Sequence, residues 1–368
     1  MPETAELLHD VYLAKGVHAT TAIEGNTLNE QEVLEIIQKQ KNRPPSQDYL
    51  QKEVENVIEA ANNILDDVEQ YGERPISVSG IMEYNSSVLQ GLELEDYAVP
   101  GQISKVPVGV LGYRGVLPSE SLGLFDRLCD WLNSDTYRPP DEDAACVYGL
   151  IKSIMAHLYL VWIHPFGDGN GRAARLLEVR FLMEAGVPSA ASHLLSNHYN
   201  RTRTEYYRQL AAASRNGGNP LPFIEYAVSG FVEQIREQLQ FVKYQQWDVS
   251  WINYVHECYQ GAHTVAAKRQ RDLVLELSNH NTPVARREIR RLSPLLAEQY
   301  AGKTGKTLTR DLNAVVKTGL VKRNTHGYRA LKESILHFLP RSKQGAVEAQ
   351  IEEARELTEE GGQLRLDI

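Results

Sequence analysis

The sequence predicts a mainly α-helical protein with two isolated β-hairpins, the second of them part of a C-terminal winged helix-turn-helix. Three observations carry this prediction. Apolar residues recur at helical spacing through most of the 368 residues. Between 98 and 117 that period gives way to AVPGQISKVPVGVLGYRGVL, rich in β-branched residues and with glycines at 109, 112 and 115. Between 282 and 331 two helical stretches precede two short strand-like runs about a turn. A chain of this length exceeds one ordinary core, so a main domain of about 200 residues with at least one smaller domain is expected.

Residues 1–97 read as an N-terminal helical region. Asn29-Glu-Gln-Glu ahead of Val33-Leu-Glu-Ile-Ile offers a capped helix start, and 56–65 repeats apolar residues every three or four positions. The glycine-bearing stretch then forms a hairpin, and because two strands alone are marginal, a hairpin among helices implies a packing or functional reason. Helical patterning resumes over 122–132, 144–163, 173–184, 204–214 and 223–242, completing a core that spans 98–242. A helical linker over 243–281 leads to the winged helix-turn-helix, 282–335, with helices at 286–300 and 308–318 and strands about a turn at 324–327. The last segment, 336–368, is an acidic tail whose 346–360 stretch reads as a solvated, frayed helix.

Composition narrows the function classes. Cys129, Cys146 and Cys258 are far apart and outside any CxxC or Cys/His ligand spacing, which indicates neither a disulfide framework nor a zinc site. The opening Met1-Pro-Glu-Thr-Ala-Glu has no basic stretch followed by an apolar one, so a cytoplasmic address is the expectation. The most apolar run, 144–163, is interrupted by Lys152, Ser153 and His157 and reads as a buried helix, so no membrane partner is expected. The net charge of −9 argues against whole-surface attraction to nucleic acid. Locally the balance reverses. Residues 283–329 carry eleven Lys or Arg against Glu288, Glu298 and Asp311, a net of +8 that leaves −17 on the remainder. With 308–318 as recognition helix and Lys322 and Arg323 on the wing, this segment is a candidate for DNA contact. Winged helices also dock proteins or dimerise, so protein docking and a homo-oligomer stay open beside it.

The chemistry concentrates in His164-Pro-Phe-Gly-Asp-Gly-Asn-Gly-Arg-Ala-Ala-Arg175. Pro165 and the glycines at 167, 169 and 171 end one helix and permit unusual backbone angles before the next begins. The free N–H groups and dipole of that helix start, opened by Gly169, Asn170 and Gly171, form a cradle for phosphate oxygens. Arg172 and Arg175, three apart, project from one face and can clamp one polyphosphate. Asp168 can share Mg²⁺ with phosphate oxygens, and His164 can accept a hydroxyl proton as that oxygen attacks phosphorus. Phe166 is the anchor of the loop.

This segment matches the motif HxFx(D/E)GNGRxxR at every specified position, and the resemblance to the Fic family covers roughly residues 15 to 240. It implies a Fic fold, a helical core with a β-hairpin flap, and transfer of AMP from ATP to a Tyr, Ser or Thr hydroxyl of a target protein with release of pyrophosphate. His164 is then the base, Asp168 the Mg²⁺ ligand, and Gly169 to Arg175 the phosphate site. The GNGR core weighs against the phosphate-transferring Doc branch. Thr20, Glu24 and Gly25 fit the family's inhibitory pattern (S/T)xxxE(G/N) ahead of the core, which implies that Glu24 restrains transfer by a bidentate pair with Arg175. The hairpin over 103–116 corresponds to the flap that docks the target, where Tyr113 is either itself modified or a cross-strand packing residue. Tyr207 is the expected aromatic contact to the nucleotide. Removal of AMP from modified proteins, and nucleotide-sensing DNA regulation, are the alternative readings.

Overall fold

The computed structural model describes residues 2–39, 44–110, 113–215 and 217–338. These fall into two compact units that divide between Arg236 and Glu237.

The first unit is helical. In it α1 (Pro2–Ile23) and α2 (Glu30–Ile37) precede α3 (Asp48–Tyr71) and α4 (Val78–Leu89). The expected capped start is present: Asn29 accepts from the Glu32 N–H at 3.0 Å, and Glu32 accepts from the Asn29 N–H at 2.8 Å. Next come β1 (Gly109–Val110) and β2 (Tyr113–Arg114), paired antiparallel as the predicted hairpin. The side chain of Tyr113 lies outside the described residues. Then follow α5 (Pro118–Leu132), α6 (Ala145–Ile163), α7 (Asn170–Glu184), α8 (Ser189–Ser192), α9 (Leu194–Arg201), α10 (Arg203–Arg215) and α11 (Leu221–Cys258).

Three apolar clusters meet around α7. Leu176 and Val179 join the cluster of α1, α2, α3 and α4; Ala173, Ala174 and Leu177 join that of α5 and α6; Leu182 joins the cluster of α6, α9, α10 and the start of α11. Every residue of α7 from Arg172 to Met183 is therefore buried. Burying apolar area on all sides at roughly 25 cal/mol per Å² fixes this helix, and with it the loop that opens it. Helix α6 has the length and composition to cross a membrane, and 56% of its most apolar window is buried inside the unit.

In the second unit the rest of α11 joins α12 (Val265–Ser278), α13 (Pro294–Gln299), α14 (Gly305–Lys317), β3 (Val321–Arg323) and β4 (Tyr328–Ala330). The strands pair antiparallel, and Asn324 closes their turn by accepting from the N–H groups of His326 and Gly327. The stretch 243–281, read as a linker, is helical but serves as core: Trp251, Val255, Leu273, Val274 and Leu277 pack with α13, α14 and the hairpin. The helix expected over 286–300 is broken into a 3₁₀ turn, Ile289–Arg291, and α13. Pro294 explains the break. It holds Ser293 extended (φ −148°, ψ 160°), cannot donate to a preceding turn, and starts a new helix whose third N–H is capped by the Ser293 hydroxyl. Helix α11 runs past its expected end at 242 because no glycine or proline interrupts the chain from 231 to 260. The predicted acidic tail lies outside the described residues beyond 338.

Candidate active site

The loop between α6 and α7 is held from four directions. His164 caps α6 in the left-handed conformation (φ 51°, ψ 55°), and Gly169 starts α7 in the same region (φ 75°), so the chain reverses within five residues. Asn170 closes the turn on itself, accepting from the Phe166 N–H at 2.9 Å and donating to the Phe166 carbonyl at 2.8 Å. Phe166 is fully buried, edge-on to Phe125 at 5.9 Å. Asn85 on α4 donates to the Asp168 carbonyl at 2.8 Å and accepts from the Gly101 N–H at 3.0 Å, tying the loop to the approach of the hairpin. On the hairpin side the Ser104 N–H donates to the Pro165 carbonyl at 2.8 Å.

A cavity of about 510 Å³ opens over this loop, within the usual range for a small-molecule site. Its floor is 167–171, with His164 and Arg175; Val106 to Gly109 of the hairpin, Glu24 after α1, and Tyr206 and Tyr207 of α10 form the walls. Ala173 is the first residue of α7 whose N–H finds a carbonyl within the turn, that of Gly169. Among the described residues the N–H groups of Asn170, Gly171 and Arg172 before it have no such partner, which leaves a short row of donors at the positive end of the helix dipole.

His164 is only 8% exposed, and its Nδ1 lies 3.2 Å from the Val161 carbonyl. A carbonyl only accepts, so Nδ1 carries the proton and Nε2 keeps its lone pair. Burial lowers the imidazole pKa below the ordinary 6.5, outweighing the Val161 bond and the nearby Glu24 and Asp168 carboxylates. The ring is thus neutral at neutral pH.

Asp168 reaches the mouth of the cavity. Its Oδ1 accepts from the Gly169 N–H at 2.5 Å and from Arg172 Nη2 at 2.8 Å, which leaves Oδ2 without a hydrogen bond from the described residues. Arg172 departs from the sequence reading. It does not line the cavity beside Arg175 but is buried against Glu53 of α3, Nη1 to Oε1 at 2.6 Å. Three-residue spacing offsets the two guanidinium groups by about 60° around the axis, and because α7 is enclosed, that offset suffices to give them different partners. Ala173 and Ala174 are likewise corrected: both are fully buried in the α5/α6 cluster. They contribute packing rather than contacts to phosphate.

Arg175 is 1% exposed and meets Glu24 across 151 residues of sequence, Nη2 to Oε1 at 2.5 Å. The same nitrogen donates to the Thr20 carbonyl at 3.1 Å. The pair is one-armed rather than bidentate: among the described residues it runs from Nη2 to Oε1 alone, and Arg175 Nε is buried without a partner there. Burial pushes the Glu24 carboxyl up, but Arg175 first, then Arg172 and His164, hold it below the ordinary carboxylate value. Gly171 makes room: a Cβ there would lie 2.4 Å from Glu24 Oε1. Gly25, at φ 109°, turns the chain away immediately after Glu24. The end of α1 is pinned by α10, where Arg203 and Tyr207 both donate to the Ile23 carbonyl, the latter at 3.3 Å. Tyr206 also lines the cavity, its hydroxyl 2.9 Å from His157 Nε2. Asn85, Glu53 and Arg203 had no local sequence signal, because each meets its partner more than 80 residues away.

Residues 75–182 match the family model described as the Fic/DOC family. "Protein adenylyltransferase fic-1" of Caenorhabditis briggsae is 30% identical over 227 residues, which is 62% of this chain and 41% of that protein. The protein of the same name from Caenorhabditis elegans is 29% identical over 227 residues, with the same coverage. The chain thus spans about two fifths of the length of these relatives. Among solved structures, a Fic family protein from Desulfovibrio desulfuricans G20 superposes with a TM-score of 0.53 at 19% identity, over 88% of this chain and 87% of that one. A Fic domain containing signaling protein from Bacteroides thetaiotaomicron gives 0.51 at 21%, over 64% and 90%. These two show the fold. Residues 75–182, the stretch similar to the Fic/DOC family model, hold the loop and the helices and hairpin that brace it.

Proposed function

We propose that this chain is a protein adenylyltransferase, moving AMP from ATP to a Tyr, Ser or Thr hydroxyl of a protein and releasing pyrophosphate. The observation that carries the reading is His164: a neutral imidazole with Nδ1 committed to Val161, placed in the same loop as the free N–H groups that open α7. The hydroxyl oxygen bonds to the α-phosphorus, the bond from that phosphorus to the oxygen bridging to the β-phosphate breaks, and Nε2 takes the hydroxyl proton. The α7 donors and Arg175 orient the polyphosphate for this displacement. Asp168 would hold Mg²⁺, and one free carboxylate oxygen suits a metal that keeps water and phosphate oxygens as its other ligands. Bound there, the ion would neutralise charge on the phosphates. The hairpin offers main-chain edge groups to an extended target segment beside the loop.

The relatives' name, protein adenylyltransferase, supports this reading. Incubation with ATP labelled at the α-phosphate, followed by mass spectrometry, tests it: the label should appear as AMP on a protein hydroxyl, with pyrophosphate released. Label that stays in the nucleotide pool, with AMP removed from a modified protein instead, overturns it. Because burial lowers the His164 pKa, the base stays neutral at pH values where an ordinary histidine would be protonated. kcat/KM should therefore decline only as pH falls through a midpoint below 6.5, and a midpoint above that value in a pH–rate profile contradicts the assignment.

In the second unit, DNA contact is favoured by how the cations are employed. Arg286 donates to the Gly305 carbonyl and the Thr309 hydroxyl, Arg290 to the carbonyls of Lys303 and Thr304, and Arg329 pairs with Glu333. By contrast Lys306, Arg310, Asn313 and Lys317 form one exposed stripe along α14, with Lys322 and Arg323 exposed on the hairpin. A helix bearing such a stripe fits the major groove of B-DNA, whereas the deep, narrow groove of RNA helices excludes it. The full chain should bind duplex DNA with salt-dependent affinity, and Lys306→Ala with Arg310→Ala should each flatten the log–log salt slope by about one. Absence of binding at low salt, or an unchanged slope, rejects this reading.

A further inference from the structure

Arg172 lies between two carboxylates. Nη1 meets Glu53 Oε1 at 2.6 Å and Nη2 meets Asp168 Oδ1 at 2.8 Å, with the guanidinium 3% and the Glu53 side chain 5% exposed. The second oxygen of Glu53 accepts from Asn26 Nδ2 at 2.9 Å. Asn26 is itself fixed, donating to the Leu50 carbonyl and accepting from the Leu28 N–H, each at 3.0 Å. Burial, the largest influence, raises the Glu53 carboxyl above its ordinary value, and Arg172 and Asn26, one on each oxygen, offset this by favouring the ionised form.

The charges decide what this arrangement does. Asp168 and Arg172 alone sum to zero, and a divalent cation approaching Asp168 Oδ2 would meet an acid already neutralised by its neighbour. With Glu53 the trio sums to −1. We infer that Glu53 is a positioning residue for the cation-binding function of Asp168: it takes up the Arg172 charge, holds the guanidinium on Oδ1, and so leaves Oδ2 free with net negative charge behind it. This rests on the assignment of Asp168 as the metal ligand. It also gives Arg172 its role, as a brace for Asp168.

The test measures Mn²⁺ uptake by the full-length protein in the presence of ADP, from the electron paramagnetic resonance signal of free Mn²⁺, with metal-free ADP affinity determined in parallel. Glu53→Gln should weaken Mn²⁺ binding on the order of tenfold while metal-free ADP affinity changes less than about twofold. The double variant Glu53→Gln with Arg172→Gln restores −1 at Asp168 and leaves no buried unpaired charge, so it should recover most of the Mn²⁺ affinity. Thermal melting establishes that each variant is folded, and the double variant keeps the test open should the single one unfold. Equal losses of Mn²⁺ and ADP affinity, or failure of the double variant to recover, overturn the inference. A wild-type protein that adds nothing to the Mn²⁺ affinity of ADP in solution refutes the metal assignment itself, a different result from an Mn²⁺ affinity that is present but indifferent to Glu53.

Discussion

Replacing His164 by alanine is expected to reduce AMP transfer by about two to four orders of magnitude while leaving ATP affinity within a few fold. The expectation follows from position. The imidazole Nε2 is the group available to accept the hydroxyl proton, whereas the N–H row of α7 and the Arg175 guanidinium belong to residues that the substitution does not touch. The loss should therefore appear in kcat and not in KM. One structural side effect is foreseeable: His164 sits at φ 51°, where a Cβ-bearing residue is strained by about 1 kcal/mol or more and asparagine is tolerated best. His164→Asn keeps the turn with less strain and lacks a comparable base, so it should lose as much transfer as His164→Ala with a higher melting temperature. Near-wild-type turnover in either variant removes His164 from the mechanism.

The loop could be read from sequence because its parts are contiguous. A proline, three glycines and the acid, base and donor side chains fall within twelve residues, and the backbone rules that place them act over one or two turns. The capping box at Asn29 and the turn at Asn324 were legible for the same reason. What surrounds the loop was not. Asn85 and Glu53 sit on amphipathic helices, where an amide or a carboxylate reads as a solvated face; their partners, Asp168 and Arg172, lie 83 and 119 residues away. The direction of Arg172 was misread because spacing along α7 gives relative angle but not which neighbour closes over each side. Glu24 was different. Its short pattern named Arg175 as partner, yet the one-armed contact and the dependence of that contact on Gly171 emerge only with the fold.

Glu24→Gly is expected to raise transfer, including self-modification, on the order of ten- to a hundredfold. Arg175 gives its shortest bond to Glu24, and its buried Nε has no partner among the described residues, so in this state the guanidinium is turned to the carboxylate instead of a γ-phosphate. Removing the carboxylate costs the folded chain one charge-assisted hydrogen bond of about 1.5–3 kcal/mol, and the same interaction becomes available to the polyphosphate, where it can orient the α-phosphate for in-line attack. Arg203 and Tyr207 hold the end of α1 through the Ile23 carbonyl, a main-chain group that the substitution retains, so the variant should keep the fold of the N-terminal helix. The decisive comparison is the double variant. Glu24→Gly with Arg175→Ala should lose the gain, because the freed partner is gone, and its rate should fall to or below wild type. If the double variant stays as active as the single one, Glu24 acts by some route other than Arg175. If Glu24→Gly alone lowers transfer in the presence of Mg²⁺ and ATP, the carboxylate is not a restraint, and a role in positioning water for the removal of AMP becomes the better account of its place beside the phosphate site.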